Sequence, residues 1–110
     1  MGKFEIFKGK DDQFYFRLKA GNGQNILRSE GYTSKSACEN GVASVKKNAA
    51  DGGKFEKKES DSGKYSFSLK ANNGQVIGVS QAYESEDGCD NGVKSVVVNA
   101  PSAEIEDLTA

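Results

Sequence analysis

The feature that most restricts the fold is a repeat within the chain. When the sequence is shifted by 51 positions, residues 4–50 align with residues 55–101 without a gap, and 21 of the 47 aligned positions are identical. Such a match within a 110-residue chain indicates an internal duplication. Because a unit of about 50 residues is only marginally stable alone, we expect both repeats to share one core about a pseudo-two-fold axis. The sequence predicts a single domain over residues 1–110.

The start of the repeat occurs a third time near the end of the sequence. The pair Phe-Glu at 4–5 returns at 55–56, and Ile-Glu stands at 105–106 once a single-residue deletion is allowed. Three related strands are therefore predicted, and the last of them closes the domain over residues 103–109.

Within each repeat the apolar residues alternate with polar ones. Residues 14–20 show this alternation, and residues 65–71 repeat it. A period of two with one polar face is typical of an antiparallel strand that has one face in the core. A further strand is predicted after the turn, at residues 24–29 and 75–80.

The turn LKAGNGQNI of the first repeat returns as LKANNGQVI in the second. Asn-Gly between two strands predicts a hairpin. A two-residue loop would pair Leu18 with Leu27, whereas a three-residue loop at 21–23 would pair Leu18 with Ile26. Since both repeats keep the isoleucine and differ at the next position, the three-residue loop is predicted. Such a loop needs a left-handed residue, which Gly23 and its counterpart in the second repeat provide.

A helix is predicted at the end of each repeat. Ser34 and Ser85 are suitable N-caps, and apolar residues then follow at spacings of four, three and four, which is typical of one helical face. These residues are Cys38, Val42, Val45 and Ala49, and again Cys89, Val93, Val96 and Ala100.

The patterns LKA.NGQ.I, S..Y.S and C.NGV.SV..NA, each present twice, make the chain resemble the YegP-like bacterial family. That family is built from a domain of unknown function that occurs singly or in tandem, and the resemblance covers essentially the whole chain. It implies an α+β fold of tandem β3-α-β repeats: one mostly antiparallel sheet of about seven strands, two helices on one face, and C-terminal strands exchanged between the repeats. Residues 55–59 would then serve both repeats, and residues 105–108 would close the second against the first. The family provides no catalytic residues to transfer.

The composition argues against common kinds of chemistry. The sequence has no histidine, and its two cysteines stand too far apart for a CxxC motif. We therefore predict no catalytic, metal-binding or cofactor-binding residues. With 15 Lys and Arg against 16 Asp and Glu, the net charge is −1, whereas nucleic-acid and membrane binders usually carry a basic excess.

Three repeated features have both a structural and a functional interpretation. Cys38 and Cys89 fit small buried hydrophobes; a disulfide between the helices and a reactive thiol are the alternatives. The Asn-Gly pairs at 40–41 and 91–92 predict close helix packing, with an Asn-lined ligand approach as the alternative. Tyr32, which recurs with its flanking serines, predicts a buried corner between strand and helix, with a binding role as the alternative.

The outer face of the sheet is the most suggestive surface. In the first repeat it is predicted to carry Phe7, Tyr15, Arg17, Lys19 and Leu27. In the second repeat it is predicted to carry Lys58, Ser66, Ser68, Lys70 and Gly78. Aromatic residues interleaved with bases can stack and neutralise single-stranded nucleic acid, and an exposed apolar patch can equally contact a protein.

The sequence itself identifies no function. We expect a small non-enzymatic binding or interaction module for a protein or a small ligand, with single-stranded nucleic-acid binding on the open sheet face as the alternative. No apolar run is long enough for a secretory signal or a membrane span. We therefore expect a cytoplasmic protein, without membrane contact, whose cysteines are reduced. We also expect a monomer with internal pseudo-two-fold symmetry.

Overall fold

A computed structural model of the chain describes residues 2–50, 54–71 and 74–109. Within these residues the predicted order of three strands and a helix occurs twice and is followed by a seventh strand. The strands are β1 (Lys3–Lys8), β2 (Phe14–Lys19), β3 (Asn25–Arg28), β4 (Phe55–Glu59), β5 (Tyr65–Lys70), β6 (Val76–Val79) and β7 (Glu104–Asp107), and the helices are α1 (Lys35–Ala50) and α2 (Glu86–Asn99). The α+β class is therefore confirmed.

All seven strands form one sheet in the order β4-β5-β6-β3-β2-β1-β7. The neighbouring pairs are antiparallel except for β1 and β7, which are parallel. The two repeats meet at the centre of the sheet, where β3 pairs with β6 through Arg28 and Val79. Both helices pack over one face, and the opposite face is left open.

The strands that follow the helices lie at the two edges of the sheet. β7 comes after the second repeat but pairs with β1 of the first, with Phe4 opposite Ile105. β4 pairs with β5 of the second repeat, with Phe55 opposite Leu69. The prediction that residues 55–59 serve both repeats stays a prediction.

The core lies between the helices and the sheet. The alternating residues of β2 and β5 and the apolar faces of both helices supply most of it. Its largest fully buried side chains are Phe4, Ile6, Phe16, Leu18, Leu27, Val42, Val45, Phe67, Leu69 and Val96. Each helix begins as predicted, because Ser34 Oγ accepts from Ala37 N at 3.1 Å and Ser85 Oγ accepts from Gly88 N at 3.0 Å.

The first hairpin has the predicted three-residue loop. Ala20 N donates to Gln24 O at 2.9 Å, and Gly23 has a φ of 86°. In the second hairpin Gly74 has a φ of 83°, and loop residues 72 and 73 lie outside the described residues. The left-handed backbone at both glycines explains why each repeat keeps one there.

The predicted register beyond the loop is wrong. Lys19 pairs with Asn25, but the ladder shifts by one residue and Leu18 pairs with Leu27. A β-bulge causes the shift, since Ile26 is an extra residue on β3 that has no partner of its own on β2. The second repeat contains the same irregularity.

The bulge changes which side chains lie on the open face. Leu27 and Gly78 were predicted there, but both are buried and pair with Leu18 and Leu69, respectively. The next residues along the strands, Arg28 and Val79, take the outer positions instead. The placement of Leu27 and Gly78 on the outer face is therefore a wrong prediction.

The glycine inside each helix allows close packing on aromatic rings, as predicted. A Cβ at Gly41 would lie 2.9 Å from Phe16 Cε2 and 2.5 Å from Tyr32 Oη. Tyr32 stacks on Phe16 with ring centroids 6.2 Å apart, and its backbone forms a two-bond bridge to Phe14. The corner between strand and helix is thus built from the repeated tyrosine, and the second repeat forms the same arrangement.

An ion pair holds the last strand to the first helix and gives a testable pH dependence. Asp107 pairs with Lys35 and also accepts from Thr109 N at 2.9 Å. The hydrogen bond from Lys35, followed by those from Thr109, lowers the pKa of Asp107 from its usual 3.8 to about 2. Because the folded-state pKa lies below the unfolded one, this group stabilises the fold above about pH 4 and stops doing so as the pH falls through about 2.

We therefore expect Asp107→Asn to lower the melting temperature at neutral pH and to differ less and less from the wild type as the pH falls from about 4 towards 2. Melting temperatures of both proteins across this range would measure the effect. A difference between the two proteins that stays constant with pH would contradict the assignment.

Candidate binding groove on the open sheet face

The open face carries a groove where the two repeats meet. Two adjoining cavities, with volumes of about 440 Å³ and 520 Å³, share Phe7, Arg28 and Val79 in their linings. Tyr15 extends the first cavity, and Arg17 extends the second. We call this combined depression the outer-face groove; its lining comes from β1, β2, β3, β6 and the residues that follow β3 and β6.

An aromatic pair forms one wall of the outer-face groove. Phe7 and Tyr15 lie opposite each other on β1 and β2, with ring centroids 5.7 Å apart and an angle of 17° between the ring planes. The guanidinium carbon of Arg17 lies 4.6 Å from the centroid of Phe7. Tyr15 donates its hydroxyl to Asp11 Oδ2 at 2.6 Å, and this hydrogen bond raises the pKa of the tyrosine. The rings are therefore held in place by their neighbours.

A buried carboxylate organises the charges beside this wall. Glu5 is 5% exposed, and it pairs with Arg17 Nε at 2.6 Å, Lys19 Nζ at 3.4 Å and Lys3 Nζ at 3.6 Å. Burial alone would raise the pKa of Glu5, but the hydrogen bonds from Arg17 and Lys19 outweigh it and hold the pKa below its usual value. Glu5 therefore stays ionised at neutral pH and offsets the charge of Arg17.

Arg28 is the other cation of the outer-face groove. It lies directly opposite Arg17 across β2 and β3 and opposite Val79 across β3 and β6. Its side chain is exposed, and within the described part of the chain no carboxylate forms an ion pair with it. Like charges directly opposite each other on a sheet are unfavourable, so this position leaves a positive charge without a partner.

The second repeat does not reproduce the outer-face groove. It carries Lys58, Ser66, Ser68 and Val79 where the first repeat has Phe7, Tyr15, Arg17 and Arg28. It does keep an ion pair between Glu56 and Lys70, at 3.0 Å, in place of the one between Glu5 and Lys19. The shared ion pair thus belongs to the repeated fold, whereas the aromatic and arginine residues belong to the first repeat alone.

The sequence predicted only part of this site. Phe7, Tyr15, Arg17 and Lys19 belong to the outer positions of β1 and β2, as expected. Arg28 and Val79 were missed because strict alternation carried across the bulge puts them on the inner face. The one indication in the sequence was the alternative hairpin register, which pairs Leu18 with Leu27.

The other candidate residues do not join the outer-face groove. Cys38 and Cys89 are buried with free thiols, as the structural interpretation predicts. Burial raises the pKa of Cys38 to about 11, and it also raises that of Cys89. Asn40 is exposed on α1, and Asn91 is exposed on α2.

Residues 2–50, 54–71 and 74–109 lack two further features that would point to a function. No group of three or more carboxylate, cysteine or histidine side chains in them is arranged to hold a metal ion. Neither α1 nor α2 has the length and apolar character needed to cross a membrane.

The fold defines a class of protein: a unit of three strands and a helix that occurs twice and is followed by a seventh strand, with one continuous sheet, helices on a single face and an open face opposite. The sequence matches the family described as "Domain of unknown function (DUF1508)" twice, over residues 10–56 and 60–107. The chain belongs to this family, in agreement with the resemblance found in its repeated patterns.

Relatives of similar length support the assignment. The chain is 53% identical to the "UPF0339 protein in ptx operon 5'region" of Stutzerimonas stutzeri, covering 97% of this chain and 96% of the relative. It is 47% identical to the "UPF0339 protein YegP" of Escherichia coli K12, covering 98% of each chain. These names place the chain in the family and assign it no activity.

Solved structures show the same fold. The solution NMR structure of a UPF0339 protein from Shewanella oneidensis superposes with a TM-score of 0.92, at 47% identity over 97% of this chain and 91% of that one. The solution NMR structure of YegP from E. coli, a protein of unknown function, gives a TM-score of 0.91, at 47% identity over 97% and 92% of the two chains.

Proposed function

We propose that this protein is a small, non-enzymatic binding module that takes its ligand in the outer-face groove. The observation that carries the proposal is the pair of cavities sharing Phe7, Arg28 and Val79. Ligand sites in proteins are typically concave, mostly apolar and furnished with a few polar groups, and they have volumes of about 300–1,000 Å³. The outer-face groove combines aromatic and aliphatic walls with guanidinium groups in this way.

The non-enzymatic part of the proposal rests on the state of the reactive groups. The thiol of Cys38 is buried, and its pKa of about 11 keeps it protonated at neutral pH. The carboxylate of Glu5 is engaged by three cations, so it is a poor general base. Neither group has the nucleophile and base arrangement that covalent catalysis requires.

A second candidate function is the binding of single-stranded nucleic acid, which the aromatic pair beside Arg17 favours. Three observations weigh against it. Phe7 stacks on Tyr15 and has Arg17 beside it, so neither ring stands free as a platform for successive bases. Four cations, namely Lys3, Arg17, Lys19 and Lys70, are paired with carboxylates. The net charge of the chain is −1.

The proposal can be tested by amide-shift titration of the isotopically labelled protein. Pools of small metabolites, sorted into anionic, neutral and cationic sets, would be compared with a mixed-sequence single-stranded RNA. We expect saturable shifts with at least one small-molecule pool, confined to the strands that line the outer-face groove. Shifts with the RNA that fade at high salt would instead support the second candidate.

The repeats provide matched variants for this titration. Phe7→Lys installs the residue of the second repeat and should abolish the shifts, whereas Lys58→Phe alters the equivalent position outside the groove and should leave them unchanged. Shifts confined to the helices, or no shifts with any pool, would contradict the proposal.

A further inference from the structure

We propose that the ligand is a small organic anion. Its carboxylate or phosphate group is held by the guanidinium of Arg28, and its apolar body lies against Phe7 and Val79. This inference rests on the proposed function and gives it a chemical class.

The first argument is the charge of the outer-face groove. Arg28 and Arg17 lie directly opposite each other, but Arg17 is satisfied by Glu5 through a contact of 2.6 Å. Glu30 also lines the first cavity, yet among the described residues Arg28 forms no ion pair with it or with any other carboxylate. An anion bound at Arg28 would supply the missing countercharge and relieve the repulsion between the two guanidinium groups.

The second argument is the surface beside that charge. Val79 is the direct neighbour of Arg28 across the centre of the sheet, and the ring of Phe7 lines both cavities. Ala82 adds a further apolar side chain to the second cavity. A ligand whose charge is held by Arg28 can therefore bury an aromatic or aliphatic body against these residues, which is favourable because apolar surface leaves water.

The third argument sets the size and valence of the anion. Of the two cations that line the outer-face groove in the described part of the chain, Arg17 already has a carboxylate partner, so only Arg28 remains without an ion pair. A polyanion binds by neutralising many cations at once. Cavities of about 440 Å³ and 520 Å³ suit a small molecule instead.

Four defined probes separate the two parts of the ligand. Benzoate and phenyl phosphate each join an anionic group to a ring, inorganic phosphate has only the charge, and benzyl alcohol has only the ring. Amide-shift titrations should show saturable shifts in β1, β2, β3 and β6 with benzoate or phenyl phosphate. Inorganic phosphate and benzyl alcohol should each bind at least about tenfold more weakly than the ring-bearing anions. Comparison of benzoate with phenyl phosphate identifies the preferred anion.

The decisive variant is Arg28→Val, which installs the residue of the second repeat and suits an exposed strand position. We expect it to weaken the binding of the ring-bearing anions at least about tenfold. Lys58→Val removes one positive charge from the second repeat's half of the open face and should leave the affinity unchanged. Amide chemical shifts that match those of the wild type outside the outer-face groove would show that both variants are folded.

The outcomes distinguish this inference from the function on which it rests. If benzyl alcohol binds the outer-face groove as tightly as benzoate, and Arg28→Val has no effect, the anion is excluded while the binding module stands. If Lys58→Val weakens the anions as much as Arg28→Val does, the effect comes from net charge, and the proposed role of Arg28 is wrong. If none of the probes changes the amide shifts of the outer-face groove at concentrations below about 10 mM, the inference is wrong, whatever the metabolite pools show.

Discussion

Replacing Leu27 with alanine is expected to reduce the free energy of unfolding by about 2–5 kcal/mol. The side chain is 2% exposed and lies at the joint between the repeats. Its counterpart in the second repeat is Gly78, which lies so close that a Cβ there would come within 2.7 Å of Leu27 Cδ2. The two equivalent positions thus share one space in the core, and the side chain of Leu27 fills all of it.

This division predicts an interaction between two substitutions. Gly78→Ala alone should cost about 1–3 kcal/mol, because its methyl group meets Leu27. In the double variant the methyl group enters the space that Leu27 leaves. The combined loss should therefore fall below the sum of the two single losses by about 0.5–3 kcal/mol. Urea unfolding of the four proteins measures the difference.

The control is Leu69→Ala combined with Gly78→Ala, since Leu69 pairs with Gly78 within the second repeat rather than across the joint. We expect the coupling with Leu27 to exceed the coupling with Leu69. Losses that add within about 0.5 kcal/mol for Leu27 and Gly78 would show that the two positions do not share a space.

Replacing Ile26 with aspartate should be more severe, with a loss of more than about 4 kcal/mol. Ile26 is the extra residue of the bulge and is 5% exposed. An ionised carboxyl there would lose its hydration without gaining a partner. Since domains of this size are stable by only about 5–15 kcal/mol in total, this loss would remove a large part of the stability at neutral pH.

The neighbouring residue provides the control. Asn25 is exposed, so Asn25→Asp should change the stability by no more than about 0.5 kcal/mol. Burial would raise the pKa of the carboxyl in Ile26→Asp above its unfolded value, so the loss relative to the wild type should shrink as the pH falls towards about 4. Ile26→Asn should show no such pH dependence. Denaturant unfolding at several pH values would decide the point, and a tolerated Ile26→Asp would contradict the burial of this residue.

Duplication and divergence affect different parts of this molecule. The caps, the loop glycines and the stacked tyrosines occur in both repeats and build the sheet and its helices. Phe7, Tyr15 and Arg17 occur in the first repeat only, on the face that the helices leave open. The proposed site therefore lies where the sequences of the two repeats differ.

Local features of the chain were determined by the sequence alone. Ser34 and Ser85 cap the helices because a hydroxyl oxygen there satisfies a free backbone N–H. Gly23 closes the three-residue loop because it adopts a φ of 86° without strain. These outcomes depend on residues within a few positions of one another. The repeat itself predicted that two such units pack together.

Tertiary structure decided the register beyond the loop and, with it, the composition of the candidate site. Alternation predicts a face only while no residue is inserted, and the bulge at Ile26 adds one. Leu27 then turns into the core against Gly78, which has no side chain to oppose it. Arg28 moves to the open face beside Val79. The sequence allowed both registers and could not decide between them, because the contact that accommodates Leu27 joins residues about 50 positions apart, and only packing across the centre of the sheet brings them together.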